Sequence, residues 1–258
     1  MGIYVNPGNQ AFLEIDDSDY VDKTRMIHLI NKTIREMDKL ICVSRPRRFG
    51  KSYAAKMLAA YYDCSCDSHS IFDNKMIAES DSYEEHLNKY NVIYIDVFGF
   101  VSSARRESIS LSTVPLRIVN AIKDEILRFD SQAPKEGSFE ECVIHCVNLP
   151  EGRSFESIID EWDSLIREVK DDKDALNAYL NLLRGWFKNN NFTPAAVAAA
   201  YMTVMSYRRV YPFIIHTRSC RLLRPENANH SGGKQRQQNH YGNISIWILR
   251  GCSRQQPG

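Results

Sequence analysis

The sequence contains no run of about 18 uncharged apolar residues, so nothing in it reads as a membrane-spanning helix. The opening Met1-Gly-Ile-Tyr-Val-Asn-Pro7 lacks a basic stretch followed by an apolar core, which argues against a secretory signal. Asn6 stands where a myristoylation motif needs Ser or Thr, so a lipid anchor is not expected and the chain reads as cytoplasmic. Cys-x-x-Cys is missing too. The seven cysteines (Cys42, Cys64, Cys66, Cys142, Cys146, Cys220 and Cys252) are odd in number and suit free thiols better than a disulfide framework. Cys142, His145 and Cys146 fit one helical face, but without a second ligand pair zinc is not expected. Acid is scarce at one end. Residues 204–258 hold no Asp and a single Glu226 against eight Arg and one Lys, so this stretch carries +8 and the first 203 residues −7 of the net +1. A basic tail of this kind fits nucleic-acid binding, or a stretch foreign to the chain before it.

With 258 residues and 43% hydrophobic content, the chain can bury a sizeable core as one large α/β domain or two small ones. It is organised around Leu40-Ile-Cys-Val-Ser-Arg-Pro-Arg-Arg-Phe-Gly-Lys-Ser-Tyr-Ala54, an apolar run that breaks into a basic loop and then into helix-forming residues. Gly50, Lys51 and Ser52 match the end of G-x-x-x-x-G-K-[ST], in which backbone N–H groups wrap the β-phosphate, the Lys reaches the β/γ oxygens and the hydroxyl holds magnesium. Arg45 stands at the first glycine and Pro46 follows, which leaves less backbone freedom and one N–H fewer. Lys39 to Val43 reads as a buried parallel strand and Ser52 to Tyr62 as a helix. Strand, glycine-ended loop and helix in succession are the context in which a helix N-terminus faces phosphate.

Elsewhere, Phe12 to Ile34 reads as an acidic loop leading into one amphipathic helix, and residues 63–90 as short helices with a loop at Cys64 to Ser70. Asn91 to Val97 is a second buried strand, and Ser102 to Phe129 reads as a helix with Val119, Ile122, Ile126 and Phe129 on one face. Asp96 ends that strand without a second acid, so a structural role is preferred to a magnesium ligand. Cys142 to Val147 is a short segment between Gly- and Pro-marked loops. Phe155 to Asp163 puts Ile158 and Ile159 before Asp160-Glu161, the layout of a Walker B strand, although Glu156 and Ser157 make it wetter than usual. The rival reading is an acidic helix start over Ile158 to Lys170, and the position after a phosphate loop favours the strand. There the first acid belongs to the magnesium shell and the second orients or deprotonates the attacking water. Lys173 to Lys188 reads as a helix whose Trp186 and Phe187 are core. Ala195 to Thr203 has helix-favouring alanines but suits a strand, which places Thr203 at a strand end beside the γ-phosphate.

Tyr20-Val-Asp-Lys-Thr24, Arg45-Pro-Arg-Arg-Phe-Gly-Lys-Ser52, Val92-Ile-Tyr-Ile-Asp96, Ile158-Ile-Asp-Glu-Trp-Asp163 and Ala200-Tyr-Met-Thr203, in that order, resemble the predicted AAA-ATPase-like proteins of bacteria and archaea over about residues 1–203. The resemblance implies that the Arg-Pro-Arg-Arg-Phe loop is normal for this branch, with Arg45, Arg47, Arg48 and Lys51 surrounding the nucleotide. It implies no role for Tyr20 to Thr24, which is read as lying near the base or as packing. Members usually continue with a Gly-Ile-Leu-Pro-like stretch and a nuclease-like domain of the PD-(D/E)XK type, whereas this chain departs at Val204 and shows apolar stretches only at Tyr211 to Ile215 and Ile244 to Leu249. A frameshift or gene break after Thr203 is the expectation, with a functional basic tail as rival.

The expected fold is α/β, a three-layer P-loop NTPase with a mainly parallel sheet in residues 1–203, plus a poorly structured or atypical basic tail in 204–258. The leading function is binding and magnesium-dependent hydrolysis of ATP, with ADP as product. Arg45, Pro46, Arg47, Arg48, Phe49, Gly50, Lys51, Ser52 and Tyr53 form the nucleotide loop; Ser52 and Asp160 hold magnesium; Lys51, Glu161 and Thr203 act in catalysis. The alternatives are a nucleotide-dependent switch working through a protein partner or an effector domain, and nucleic-acid binding through the tail.

Overall fold

The computed structural model describes residues 2–16, 20–44, 46, 48–169 and 172–205, together with the backbone of 220–223 and 245–249. In chain order these residues form α1 (Gln10–Asp16), α2 (Arg25–Asn31), β1 (Leu40–Ser44), α3 (Lys51–Tyr62), α4 (His69–Phe72), α5 (Tyr83–His86), β2 (Asn91–Asp96), α6 (Val97–Arg106), α7 (Val114–Phe129), α8 (Phe139–Val147), β3 (Phe155–Asp160), α9 (Ser164–Glu168), α10 (Lys173–Phe187), α11 (Phe192–Ala196), β4 (Val197–Val204), β5 (Cys220–Leu223) and β6 (Ser245–Leu249).

Four strands run parallel in the order β2-β3-β4-β1, and β6 and β5 extend the sheet beyond β1 in antiparallel sense. Successive residues of a strand point to opposite faces, and β1 divides accordingly. Ile41 and Val43 join a core with α1, α2 and α3, while Leu40 and Cys42 join a second core with α6, α7, α8 and α10. Helices therefore cover both faces, which is the three-layer α/β arrangement expected. Both cores are closed by aromatics, Tyr61, Tyr62 and Phe72 on one face and Phe139, Trp186 and Phe187 on the other. Among the described residues no helix is long and apolar enough to cross a membrane.

The outer edge of β2 would leave unpaired backbone groups open to other chains. The N-terminal segment covers it: Asn6 N–H donates to the Val92 carbonyl at 2.8 Å, and Tyr94 N–H to the Tyr4 carbonyl at 2.8 Å. That segment is itself held by Glu125, a buried carboxylate that accepts the N–H groups of Ile3, Tyr4 and Val5, each at 2.8 Å.

Several local expectations are corrected. A helix, α1, precedes the acidic segment, with Phe12 and Ile15 buried. The long helix over Ser102 to Phe129 is two, α6 and α7, because Ser108 adopts φ +56° and Pro115 opens the second. Its buried face includes Ile118, Ile122 and Ile126, while Phe129 is exposed. The short Cys142 segment is a helix from Phe139, started by a capping box in which Ser138 and Glu141 satisfy each other's backbone N–H groups. The Cys142 thiol donates to the Pro134 carbonyl, and His145 pairs with Asp130 at 2.8 Å.

The acidic-helix reading of Ile158 to Lys170 gives way to strand β3, every residue of which is buried, Glu156 and Ser157 included. Burial on both faces likewise overrides the helix propensity of the alanines in β4. In the tail, the apolar stretch at Ile244 to Leu249 supplies β6; Tyr211 to Ile215 lies outside the described residues.

Candidate functional site

The loop after β1 turns on two left-handed residues, Arg48 (φ +69°) and Gly50 (φ +72°). Gly50 is the N-cap of α3, and its carbonyl accepts the Ala54 N–H at 2.9 Å. A side chain at Gly50 is disfavoured by the positive φ, and its Cβ would stand 2.6 Å from Lys23 Nζ, the end of a flexible side chain that would have to move aside. The first turn of α3 contains no acid, so no carboxylate of its own offsets the partial positive charge of the helix N-terminus, the end that favours an anion. Lys51, the first residue of α3, is 8% exposed and bends back so that Nζ donates to the Pro46 carbonyl at 3.0 Å. Ser52 follows, half-buried, while Phe49 and Tyr53 are exposed. Arg45 and Arg47 lie outside the described residues.

Sheet order brings the second half of the site to this loop. Because β4 lies between β1 and β3, Val43 aligns with Thr203, Met202 with Ile159, and Asp160 with Asp96. The loop, Thr203 and the acidic pair thus share the C-terminal edge of the parallel strands, where ligands of open α/β sheets bind. Asp160 is 4% exposed. Its Oδ1 accepts the Thr203 hydroxyl and the Glu161 N–H, the latter at 3.1 Å. Thr203 is fully buried, and its hydroxyl also accepts the Glu161 N–H at 2.9 Å. Both functions of that hydroxyl are engaged with the turn after β3, where Glu161 adopts φ +48°, uncommon for a residue with a side chain.

The Glu161 carboxylate accepts at Oε2 from Arg167 Nη2 and from the Ser164 hydroxyl, both at 3.1 Å. Arg167 also pairs with Asp163, which is 1% exposed, at 2.5 Å. Burial lowers the pKa of Lys51, while the carboxylates of Glu161, Asp160 and Asp163 oppose that shift and Arg167 adds to it. The loop lysine therefore lies in the field of the acidic turn. Asp96, the other strand-end acid, starts α6 instead; its carboxyl pKa is raised by desolvation against the lowering effect of the Gly99 N–H.

Sequence reasoning missed Arg167, Asp163 and Ser164 as parts of the site. Arg167 was within reach, since Asp163 and Arg167 are spaced i,i+4 and helical once β3 ends at Asp160. Lys23 has no sequence signal of its own beyond its place in Tyr20 to Thr24; its Nζ donates to the Phe49 carbonyl of the loop at 3.3 Å.

The three-layer sheet with a Gly50-Lys51-Ser52 loop at the head of α3 defines a P-loop NTPase-type domain. A family model described as Predicted AAA-ATPase matches residues 7–207, and the chain belongs to that family. The family carries a nucleotide-binding, ATPase-like role, and the match ends close to where the composition turns basic. No curated protein and no solved structure matches the chain.

Proposed function

We propose that the chain binds ATP and hydrolyses it to ADP with magnesium. The observation that supports this reading is the strand order β3-β4-β1, which sets the Gly50-Lys51-Ser52 loop after β1 and the Asp160-Glu161 turn after β3 on one edge of the parallel sheet, two strands apart. In this mechanism the amides at the start of α3 and Lys51 hold the phosphates, with Pro46, Arg48, Phe49 and Tyr53 bordering them and Arg45 and Arg47 adding charge. Catalysis is then positioning plus electrostatic stabilisation of the transferred phosphoryl group. Glu161 orients the attacking water and takes its proton. Thr203 acts through Asp160 and the Glu161 N–H, holding the turn rather than touching phosphate.

Ser52 and Asp160 fit magnesium, being a hydroxyl and a carboxylate, the hard oxygen donors this ion takes together with phosphate oxygens and water. Among the described residues no three His, Cys, Asp or Glu side chains gather to hold a metal by themselves; phosphate oxygens and water would supply the remaining donors. Bound there, the ion neutralises charge on the phosphates.

The test is titration with a fluorescent ATP analogue. Lys51→Ala is expected to weaken binding at least tenfold, the order of one lost charge-assisted hydrogen bond, with the thermal midpoint measured alongside to show that the variant is folded. Equal binding by the variant and the parent would remove the central claim.

A second reading is favoured by the Arg167 and Ser164 contacts on Glu161, which hold its carboxylate in place. Such a chain is a nucleotide-dependent switch whose turnover waits on a partner or an effector domain. Analogue binding without steady-state ATP hydrolysis selects it. For residues 204–258 we infer loss of the family's reading frame after Thr203. A helical, acid-containing continuation in another frame of the coding DNA supports this, whereas salt-dependent DNA binding that is lost on deleting 204–258 supports a functional tail.

A further inference from the structure

Tyr20-Val-Asp-Lys-Thr24 has no part in the mechanism above, yet the structure invests heavily in fixing it. The Tyr20 hydroxyl donates to Met57 Sδ of α3 at 3.2 Å and accepts the Lys23 N–H at 3.4 Å, while its ring meets Phe12 edge-on at 5.3 Å. Burial pushes the Tyr20 hydroxyl pKa up to about 12. Asp22 accepts the N–H groups of Thr24 at 2.8 Å and Met76 at 2.9 Å. Thr24 is fully buried, and its hydroxyl accepts the Ile77 N–H at 3.1 Å. The two residues on either side of Lys23 are thus tied to chain atoms, and the segment is pinned to the same helix that begins at Lys51.

What this frame presents is the Lys23 ammonium. It reaches the phosphate loop from a separate segment, donates to the Phe49 carbonyl at 3.3 Å, and stands 2.6 Å from the place a Gly50 Cβ would occupy. A neutral carbonyl is a weaker partner for an ammonium than a phosphate oxygen. The Nζ also sits beside the two residues that precede Lys51.

We propose that Lys23 is a second phosphate-binding lysine, and that Tyr20 to Thr24 is the frame that holds its ammonium at the loop. The proposal rests on the phosphate-loop reading and adds to it a cation from outside the Arg45 to Ser52 motif. Lys23 pairs with phosphate oxygens of the nucleotide, and with the Phe49 carbonyl when no nucleotide is bound. A Cβ at Gly50 would push the ammonium from this place, in addition to the strain of its φ.

The experiment compares Lys23→Gln, Lys23→Arg and the unsubstituted chain for binding of the fluorescent ATP analogue and of adenosine, with thermal midpoints measured alongside. Glutamine keeps an N–H donor on a side chain one bond shorter and carries no charge, whereas arginine keeps the charge. The expected result is analogue binding at least tenfold weaker in Lys23→Gln and within about threefold in Lys23→Arg. Adenosine binding and midpoints should stay unchanged. Analogue binding by Lys23→Gln equal to that of the unsubstituted chain reduces Lys23 to a loop clamp and overturns the proposal. So does an equal loss of adenosine and analogue binding, which marks a general defect. Failure of the phosphate-loop reading is a separate outcome, seen when the unsubstituted chain and Lys51→Ala bind the analogue alike.

Discussion

Glu161→Gln is expected to bind the ATP analogue as the unsubstituted chain does and to hydrolyse ATP 10²- to 10⁴-fold more slowly, the usual contribution of a positioned general base. The substitution is close to silent structurally. Glutamine keeps an amide oxygen to accept from Ser164 and Arg167, which reach Glu161 Oε2 at 3.1 Å, and it leaves the backbone N–H bonds to Asp160 and Thr203 in place. What it removes is an oxygen able to take a proton from water. Arg167→Ala is a poorer probe, because it leaves the Asp163 carboxylate, 1% exposed, without its partner arginine, and an uncompensated buried charge costs several kcal/mol. Binding by titration and turnover by single-turnover hydrolysis separate the two effects of Glu161→Gln. A variant that binds and hydrolyses at the original rate excludes Glu161 from the chemistry.

How much of this was legible beforehand follows the physics of each element. The loop could be read because Gly50-Lys51-Ser52 sits between a buried β-branched strand and an alanine-rich helix, and all three signals are local. The turn at Asp160-Glu161 was ambiguous until tertiary context decided it, since Ile158 to Lys170 has helical spacing as well. Packing of β3 between β2 and β4 settles the choice. Helix α1 was hidden by acidic residues that read as loop, although Phe12 and Ile15 bury against α3. The break between α6 and α7 depends on the φ of Ser108, which no periodicity reports.

The rest of the site was illegible for a different reason: its contacts run between segments far apart in sequence. Lys23 reaches a loop carbonyl 26 residues on, and the Thr203 hydroxyl reaches Asp160 43 residues back. Thr203 was expected beside the γ-phosphate because it ends a strand. The inward position of its side chain depends on β4 lying between β1 and β3, an order that strand patterns do not reveal.

Glu156 offers a large expected effect on stability, away from the nucleotide site. It lies in β3 four residues before Asp160, roughly 13 Å along the strand from the acidic turn. Its side chain is 1% exposed, and Oε1 is buried with no hydrogen-bond partner among the described residues. Lys39 is the nearby cation that favours ionisation, but its Nζ donates to the carbonyls of Thr193 at 3.1 Å and Val197 at 2.6 Å. Tyr62 and Tyr90 face the carboxyl too, with hydroxyls bonded to Asn31 and His86. Burial accordingly pushes the Glu156 pKa up from 4.5 to about 8, against the lowering effect of Lys39. The folded chain keeps this proton up to about pH 8, whereas the unfolded chain releases it near 4.5. The stability that depends on the neutral acid is therefore complete below pH 4.5, declines as pH rises, and is lost above about 8. At 1.36 kcal/mol per unit of pKa, the loss at pH 7 is about 3 kcal/mol. Glu156→Gln removes the titration and keeps the shape. It is expected to raise stability at pH 7 by about 2 kcal/mol, allowing about 1 kcal/mol for the amide's own unmet hydrogen bonds, and to flatten the profile between pH 5 and 8.5. Urea unfolding at pH 5, 7 and 8.5 measures this, and parallel profiles for the two chains would show that Glu156 ionises in the folded protein at its ordinary pH. Analogue binding by Glu156→Gln should match that of the unsubstituted chain, because Glu156 is neutral in the folded chain below about pH 8 and lies four residues before Asp160 in β3.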